Sequence, residues 1–231
     1  MKTTLVLMTF NEIECLNLIF DKIPKPSPEA GYDEIVAVDG GSTDGTVEFF
    51  QNKGVRIIGQ SKKGRGDAFM QAFKNLDSDL LIFFSPDGNE AIEDLPKFKN
   101  IIKSGADLVI ASRMMKESRN EEDDQFFKWR KWANNAFNIM ANLCFKKTGP
   151  FIYDSINGYR ALTRQAFERL NLTAPDYTIE YQMTIRAFKN KLNIVEFPTI
   201  EGNRLAGDTG APSIPTGIRF IKRFLSELFG K

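Results

Sequence analysis

The chain has 231 residues, 42% of them apolar, and 31 Lys and Arg against 30 Asp and Glu give a formal charge of +1. This length fits one large domain better than two small ones, and so small a charge, with no arginine-rich arm or zinc-finger spacing, gives no basis for a nucleic-acid partner. No histidine occurs; that removes His-based triads, zinc deaminase sites and HExxH peptidase sites and leaves acid, base and metal-ligand roles mainly to Asp and Glu.

Residues 2–8 read as a strand and 12–23 as a helix begun by Asn11 or Glu12, followed by a proline-rich loop over 24–32. Strands are expected over 33–38, 55–59, 79–84 and 107–112, with helices over 44–53, 65–76 and roughly 91–103 between them. Apolar runs alternating with amphipathic helices predict an α/β fold with a largely parallel sheet. The second half is less regular. It has a charged loop over 116–124, a helix over 126–147, a loop or strand and then a helix over 154–170, a helix over 177–191 and a closing strand over 192–198. A Gly- and Pro-rich loop (203–217) leads to a last amphipathic helix at about 216–229. Cys15 and Cys144 form no motif, so no disulfide is expected and the chain reads as cytosolic. Neither a signal peptide nor the ~18–20-residue apolar run of a spanning helix is expected.

Three apolar runs end in carboxylate-bearing segments: LVLM (5–8) in TFNE (9–12), EIVAV (34–38) in DGGSTDGT (39–46), and DLLIFF (79–84) in SPDGNE (85–90). A βαβ arrangement puts all three endings on the carboxyl edge of one parallel sheet, where ligands of such sheets bind. Acidic groups gathered there can hold a divalent cation and, through it, a diphosphate. That points to an enzyme acting on an activated nucleotide compound. Asp39, at a strand tip, can accept hydrogen bonds from a base or ribose; the same segment also reads as plain strand–turn–helix punctuation, with Ser42 or Thr43 capping the next helix. In SKKGRGDA (61–68), backbone N–H groups, as at Gly64, and a Lys or Arg, Lys63 or Arg65, can meet phosphate, although neither a Walker A loop nor a dinucleotide fingerprint is present. Asp87 reads either as a cation ligand or as half of an Asp-Gly turn.

In order and spacing, TFNE, VDGGSTDGT, KGRGDA, SPDGN, ASR and DSINGYRALTRQAF resemble the GT-A glycosyltransferases of family 2, and among these the dolichyl- and polyprenyl-phosphate sugar transferases, over roughly residues 3–211. The resemblance implies one GT-A catalytic domain over 1–231: a nucleotide-binding half (1–115), an acceptor half (116–214) and a C-terminal helix (215–231). It implies nucleotide contacts at Thr9, Asn11, Glu12 and Asp39, with Gly40 where the family often has a second Asp. It lays the metal motif, roughly DADLQ, over SPDGN, so that Asp87 and Asn89 are the expected ligands of Mg²⁺ or Mn²⁺ and Ser85 replaces the first Asp. Arg113, and as a second match Arg130, are expected to meet an acceptor phosphate; Arg160 lies in the INGYRAL segment of this half. Arg204 opens the late loop, where Asp208 and Thr209 depart from the family's R-x-x-G-x-S-K. Asp154 faces the same site by analogy, or caps its turn.

The expected reaction is inverting transfer of a sugar from a nucleotide-sugar to a polyprenyl (dolichyl-type) phosphate, with Asp87, Arg113 and Arg204 at the catalytic centre. An anionic acceptor needs no strong base; a sugar hydroxyl would, and Glu180, unless it faces solvent, is the candidate. Phe126, Phe127, Trp129, Trp132, Phe137, Met140 and Phe145 beside Lys128, Arg130 and Lys131 suit the headgroup region of a bilayer or a helix packed on the sheet. Ile218, Ile221, Phe224, Leu225 and Leu228 form a second stripe with Arg219, Lys222 and Arg223 near it, a short monotopic signature or a helix docked on the domain. In the bilayer reading of these two helices the chain is cytoplasmic with peripheral contact at the cytoplasmic membrane face. The alternatives are a transferase to a saccharide or other soluble acceptor, and a degenerate nucleotide-sugar-binding protein.

Overall fold

Seven strands form one sheet in the order β3-β2-β1-β4-β6-β5-β7. They are β1 (Thr3–Thr9), β2 (Glu34–Asp39), β3 (Arg56–Gly59), β4 (Leu80–Phe84), β5 (Leu108–Ser112), β6 (Arg160–Thr163) and β7 (Ile194–Pro198). The computed structural model describes residues 1–123, 126, 128–206 and 213–230. Asp208, Thr209 and Phe127 lie outside the described residues.

β1, β2 and β4 are fully or largely buried on both faces, as parallel strands between two helical layers must be. Alternate side chains feed two cores. Val6, Met8, Val36, Val38, Leu81 and Phe83 pack under α3 (Arg65–Asn75), α5 (Trp129–Phe145), α6 (Arg164–Leu170), α7 (Ile179–Lys189) and α8 (Ser213–Phe229). Leu5, Leu7, Ala37, Ile82 and Phe84 pack under α1 (Ile13–Ile19), α2 (Thr46–Asn52) and α4 (Leu95–Lys103). The helix expected over 12–23 closes as a 3₁₀ turn at Phe20–Lys22, because Pro24 pushes Ile23 out of the helical region (ψ 123°).

The chain moves outward from β1 through β2 to β3, then returns to lay β4 on the other side of β1. The carboxyl edge between β1 and β4 is therefore the topological switch point, and TFNE, DGGS and SPDGNE all emerge there. β6 runs antiparallel between β4 and β5. Thr163 ends it and caps α6, its hydroxyl accepting from Ala166 N at 3.2 Å.

Candidate active site at the carboxyl edge of the sheet

The β1 and β2 tips are tied together by side chains. Thr9 and Asp39 are register partners, and Thr9 Oγ1 donates to Asp39 Oδ1 at 3.1 Å. Asp39 Oδ2 accepts from Gly41 N and Ser42 N, both at 2.8 Å, and Oδ1 accepts from Ser42 Oγ at 2.5 Å. Its carboxylate, 4% exposed, thus organises the turn, which Gly41 completes at φ +88°. Asn11, in the left-handed region at φ 56°, crosses to the same turn: its N–H donates to Ser42 Oγ at 2.8 Å and its Oδ1 accepts from Thr43 N at 2.9 Å.

Helix capping here differs from the expectation. Neither Ser42 nor Thr43 caps α2; its N-cap is Gly45, and the preceding Asp44 accepts from Thr46 N at 3.0 Å while its other oxygen accepts from Ile13 N of α1 at 3.0 Å. Burial opposes the Asp44 charge, but these N–H donors outweigh it and lower the pKa.

At the β4 tip, Asp87, Asn89 and Glu90 line a cleft with Arg65, Ser85, Arg113, Tyr177, Glu180 and Glu201. α5 and α8 supply its far wall through Asn134, Thr216 and Phe220. Arg204 spans the switch point: Nη1 donates to Asp87 Oδ2 at 3.0 Å and Nη2 to Glu12 Oε1 at 2.5 Å. Burial raises the Asp87 pKa against the pull of the Asn89 N–H, Arg204 and Arg65, and burial likewise raises Glu12. Glu90, deeper still, accepts from Ser85 N at 2.8 Å; burial and the Asp87 charge push its pKa well up.

The donors present suit a hard divalent cation. Asn89 Oδ1 is buried without a hydrogen-bond partner, and it stands two residues from Asp87 in the same cleft wall. Among the described residues no cluster of three or more His, Cys, Asp or Glu could hold a metal. An ion held by Asp87 and Asn89 would complete its shell with water and ligand oxygens, the pattern of Mg²⁺ at phosphate sites.

The remaining arginines are held more tightly than the sequence suggests. Arg113 grips Asp154 with Nε (2.8 Å) and Nη2 (3.1 Å) and reaches Glu201 with Nη1 (3.1 Å). Both carboxylates raise its pKa well above the ordinary value despite burial. Arg113 still borders the cleft, but its charge is matched by two carboxylates. Asp154 also accepts from Asn157 N at 3.1 Å, so it holds its turn and the arginine together. Arg160 is 0% exposed and donates to Asn157 O (2.7 Å) and Glu180 O (3.0 Å). Arg130 pairs with Glu121 at 3.2 Å and Glu122 at 2.7 Å, away from the cleft lining. Lys63 lies over the Phe10 ring at 5.1 Å. Gly64 is demanded by a close approach, since a Cβ there would stand 2.3 Å from Pro175 O. Glu180, expected either to serve as a base or to face solvent, is 2% exposed and bonded to Arg65.

The sequence marks Arg65 as a phosphate contact within KGRG but gives no role to Glu90 or Glu201. Glu90 lies inside SPDGNE, and its position there is the available signal. Glu201 has none, since it comes to Arg113 only through the pairing of β7 with β5.

A mostly parallel sheet with carboxylate-bearing loops at its switch point and a helical second half is the GT-A glycosyltransferase architecture. The family model of glycosyl transferase family 2 matches residues 4–170, and the chain belongs to that family. Among curated proteins it is 29% identical over 216 residues to glycosyltransferase AglJ of Haloferax volcanii, covering 90% of this chain and 66% of that protein. It is 28% identical to the dolichol-phosphate mannosyltransferase of Pyrococcus furiosus, covering 90% of this chain and 59% of that one. The chain thus spans less than two-thirds of the length of these two relatives. With the polyprenol monophosphomannose synthase of Mycolicibacterium smegmatis it shares 28% identity, covering 85% of this chain and 76% of the other. Among solved structures, glucosyl-3-phosphoglycerate synthase of Mycobacterium tuberculosis, in complex with Mn²⁺, UDP and phosphoglyceric acid, superposes with a TM-score of 0.75 at 20% identity, covering 99% of this chain and 78% of that one.

Proposed function

We propose that this protein is an inverting glycosyltransferase that moves a sugar from a nucleotide-sugar to a polyprenyl phosphate at a membrane surface. The carrying observation is the construction of the cleft: the helices that wall it also present apolar rows outward. On α5, Phe137 and Phe145 face inward against Phe220 and Phe224 of α8, whereas Trp129, Trp132, Ile139 and Leu143 are exposed. On α8, Phe220 and Phe224 are buried, and Ile218, Ile221, Leu225, Leu228 and Phe229 are exposed at helical spacing. Lys222 and Arg223 flank that row. No helix among the described residues is long and apolar enough to cross a membrane, so contact would be through these faces. The names of the relatives in Pyrococcus and Mycolicibacterium support the same acceptor class.

In this reading the single domain divides as the sequence suggested, and the turn around Asp39 with Thr9, Asn11 and Glu12 receives the nucleotide. Asp87 and Asn89 would hold Mg²⁺ or Mn²⁺, which supplies charge neutralisation for the departing diphosphate. Glu180 is engaged by Arg65, and an acceptor that arrives as an anion needs no proton removed. Asp39→Ala is expected to weaken binding of nucleoside diphosphate in EDTA about tenfold, because the turn loses the carboxylate that fixes Gly41 and Ser42; equal affinities by calorimetry would take Asp39 out of the donor site. The acceptor is tested by transfer assays with Mn²⁺, comparing a polyprenyl phosphate in anionic vesicles with soluble saccharides. Transfer to the lipid is expected. Efficient transfer to a saccharide alone would replace this reading with the soluble-acceptor one, and binding of nucleotide-sugar without transfer or hydrolysis would indicate a binding protein.

A further inference from the structure

Arg65 is the first residue of α3, and its side chain reaches the tip of β4. Nε donates to Glu180, which is 2% exposed. Nη1 and Nη2 carry four N–H donors between them. Among the described residues the one hydrogen-bond acceptor they meet is Ser85 Oγ, at 3.4 Å from each. The space for this guanidinium is made by a missing side chain: a Cβ on Gly158 would stand 1.9 Å from Nη2 and 3.2 Å from Glu180 Oε1. The fold therefore holds a guanidinium in the wall of the cleft that Asp87 and Asn89 line, with most of its terminal donors unmet. Burial works against its charge, and Glu180 and Glu90 more than offset that.

Ser85 gives the arrangement its meaning. It stands where the resembled metal motif has its first carboxylate. A carboxylate there would lie against Arg65 and neutralise it. Serine removes one prospective metal ligand and, in the same change, leaves the guanidinium's terminal N–H donors open to the cleft. Guanidinium is suited to phosphate, which it grips with two parallel hydrogen bonds.

We propose that Arg65 binds a phosphate group in this cleft, so that part of the charge neutralisation a divalent ion provides is built into the protein. The proposal rests on the sugar-transfer reading and names a residue of that same site. Its consequence is a phosphate affinity that persists without metal. A phosphate here can come from the donor's diphosphate or from the acceptor, and separate arms distinguish them.

The test is calorimetry on the full chain with UDP, GDP and citronellyl phosphate, each in EDTA and in Mn²⁺. The wild type is expected to bind one nucleoside diphosphate in EDTA. R65Q should weaken that binding roughly ten- to a hundredfold. S85D should weaken it as well and make it recover with Mn²⁺. Because R65Q leaves Glu180 buried and unpaired, the double variant R65Q/E180Q removes both charges, and S85D tests the idea with the pair intact. A loss confined to the diphosphates assigns Arg65 to the donor; a loss confined to citronellyl phosphate assigns it to the acceptor. Unchanged metal-free affinity for all three probes in S85D and in folded R65Q/E180Q overturns the proposal while leaving the transferase reading in place. A wild type that binds the diphosphates only with Mn²⁺, and citronellyl phosphate not at all in EDTA, also overturns it. A wild type that binds none of the three under any condition overturns both.

Discussion

Asp87→Ala is expected to reduce metal-dependent transfer on the order of a hundredfold or more while leaving the fold intact. Asp87 lines the cleft beside an unpartnered oxygen, Asn89 Oδ1. Losing it removes the charged half of that donor pair, and electrostatic groups facing a departing diphosphate carry effects of this size. The fold should survive because Asp87 sits on a loop beyond β4, and its departure still leaves Arg204 bonded to Glu12 and Ala206 O. Turnover at saturating donor and Mn²⁺, Mn²⁺ binding by electron paramagnetic resonance and far-ultraviolet circular dichroism together check this. Wild-type turnover in a folded variant would remove Asp87 from the metal role.

The largest stability effect is expected at Arg160. Burial lowers its pKa to about 10, so it is still charged at neutral pH, and it is satisfied by Asn157 O, Glu180 O and, more distantly, Ser155 O at 3.3 Å and Thr184 Oγ1 at 3.4 Å. Arg160→Met leaves several buried acceptors without donors, at a cost of about 3–5 kcal/mol. Urea denaturation should show a lower midpoint. The turn over 155–158 would also lose its clamp to α7, and with it the position of Gly158 against Arg65. A variant with an unchanged midpoint and lost transfer would instead return Arg160 to the substrate side.

Most of the element pattern was legible because it follows from local chemistry. The predicted strands and helices of the first half match β1 to β5 and α1 to α4 to within a few residues, apart from the 3₁₀ turns beside α1 and α4. At β6 the sequence allows either loop or strand, since RALT alternates too briefly to show a period and forms a strand only because β4 and β5 accept it on both sides. The aromatic helix carried two readings, bilayer face or core. Its residues divide between them: Phe137 and Phe145 pack inward, whereas Trp129 and Trp132 do not.

By itself the sequence determined the family, the sheet edge on which the chemistry gathers and the carboxylates that stand there, because apolar runs ending in Asp-Gly turns are properties of adjacent residues. Tertiary structure decided which charges remain available for a ligand. Arg113 meets Asp154 and Glu201 across 41 and 88 residues, Arg204 meets Asp87 across 117, and Arg65 meets Glu180 across 115. A charge is matched or open according to what the fold brings within about 4 Å of it, where desolvation makes such pairs strong and an unpaired group costly, and no local pattern encodes partners that far away along the chain.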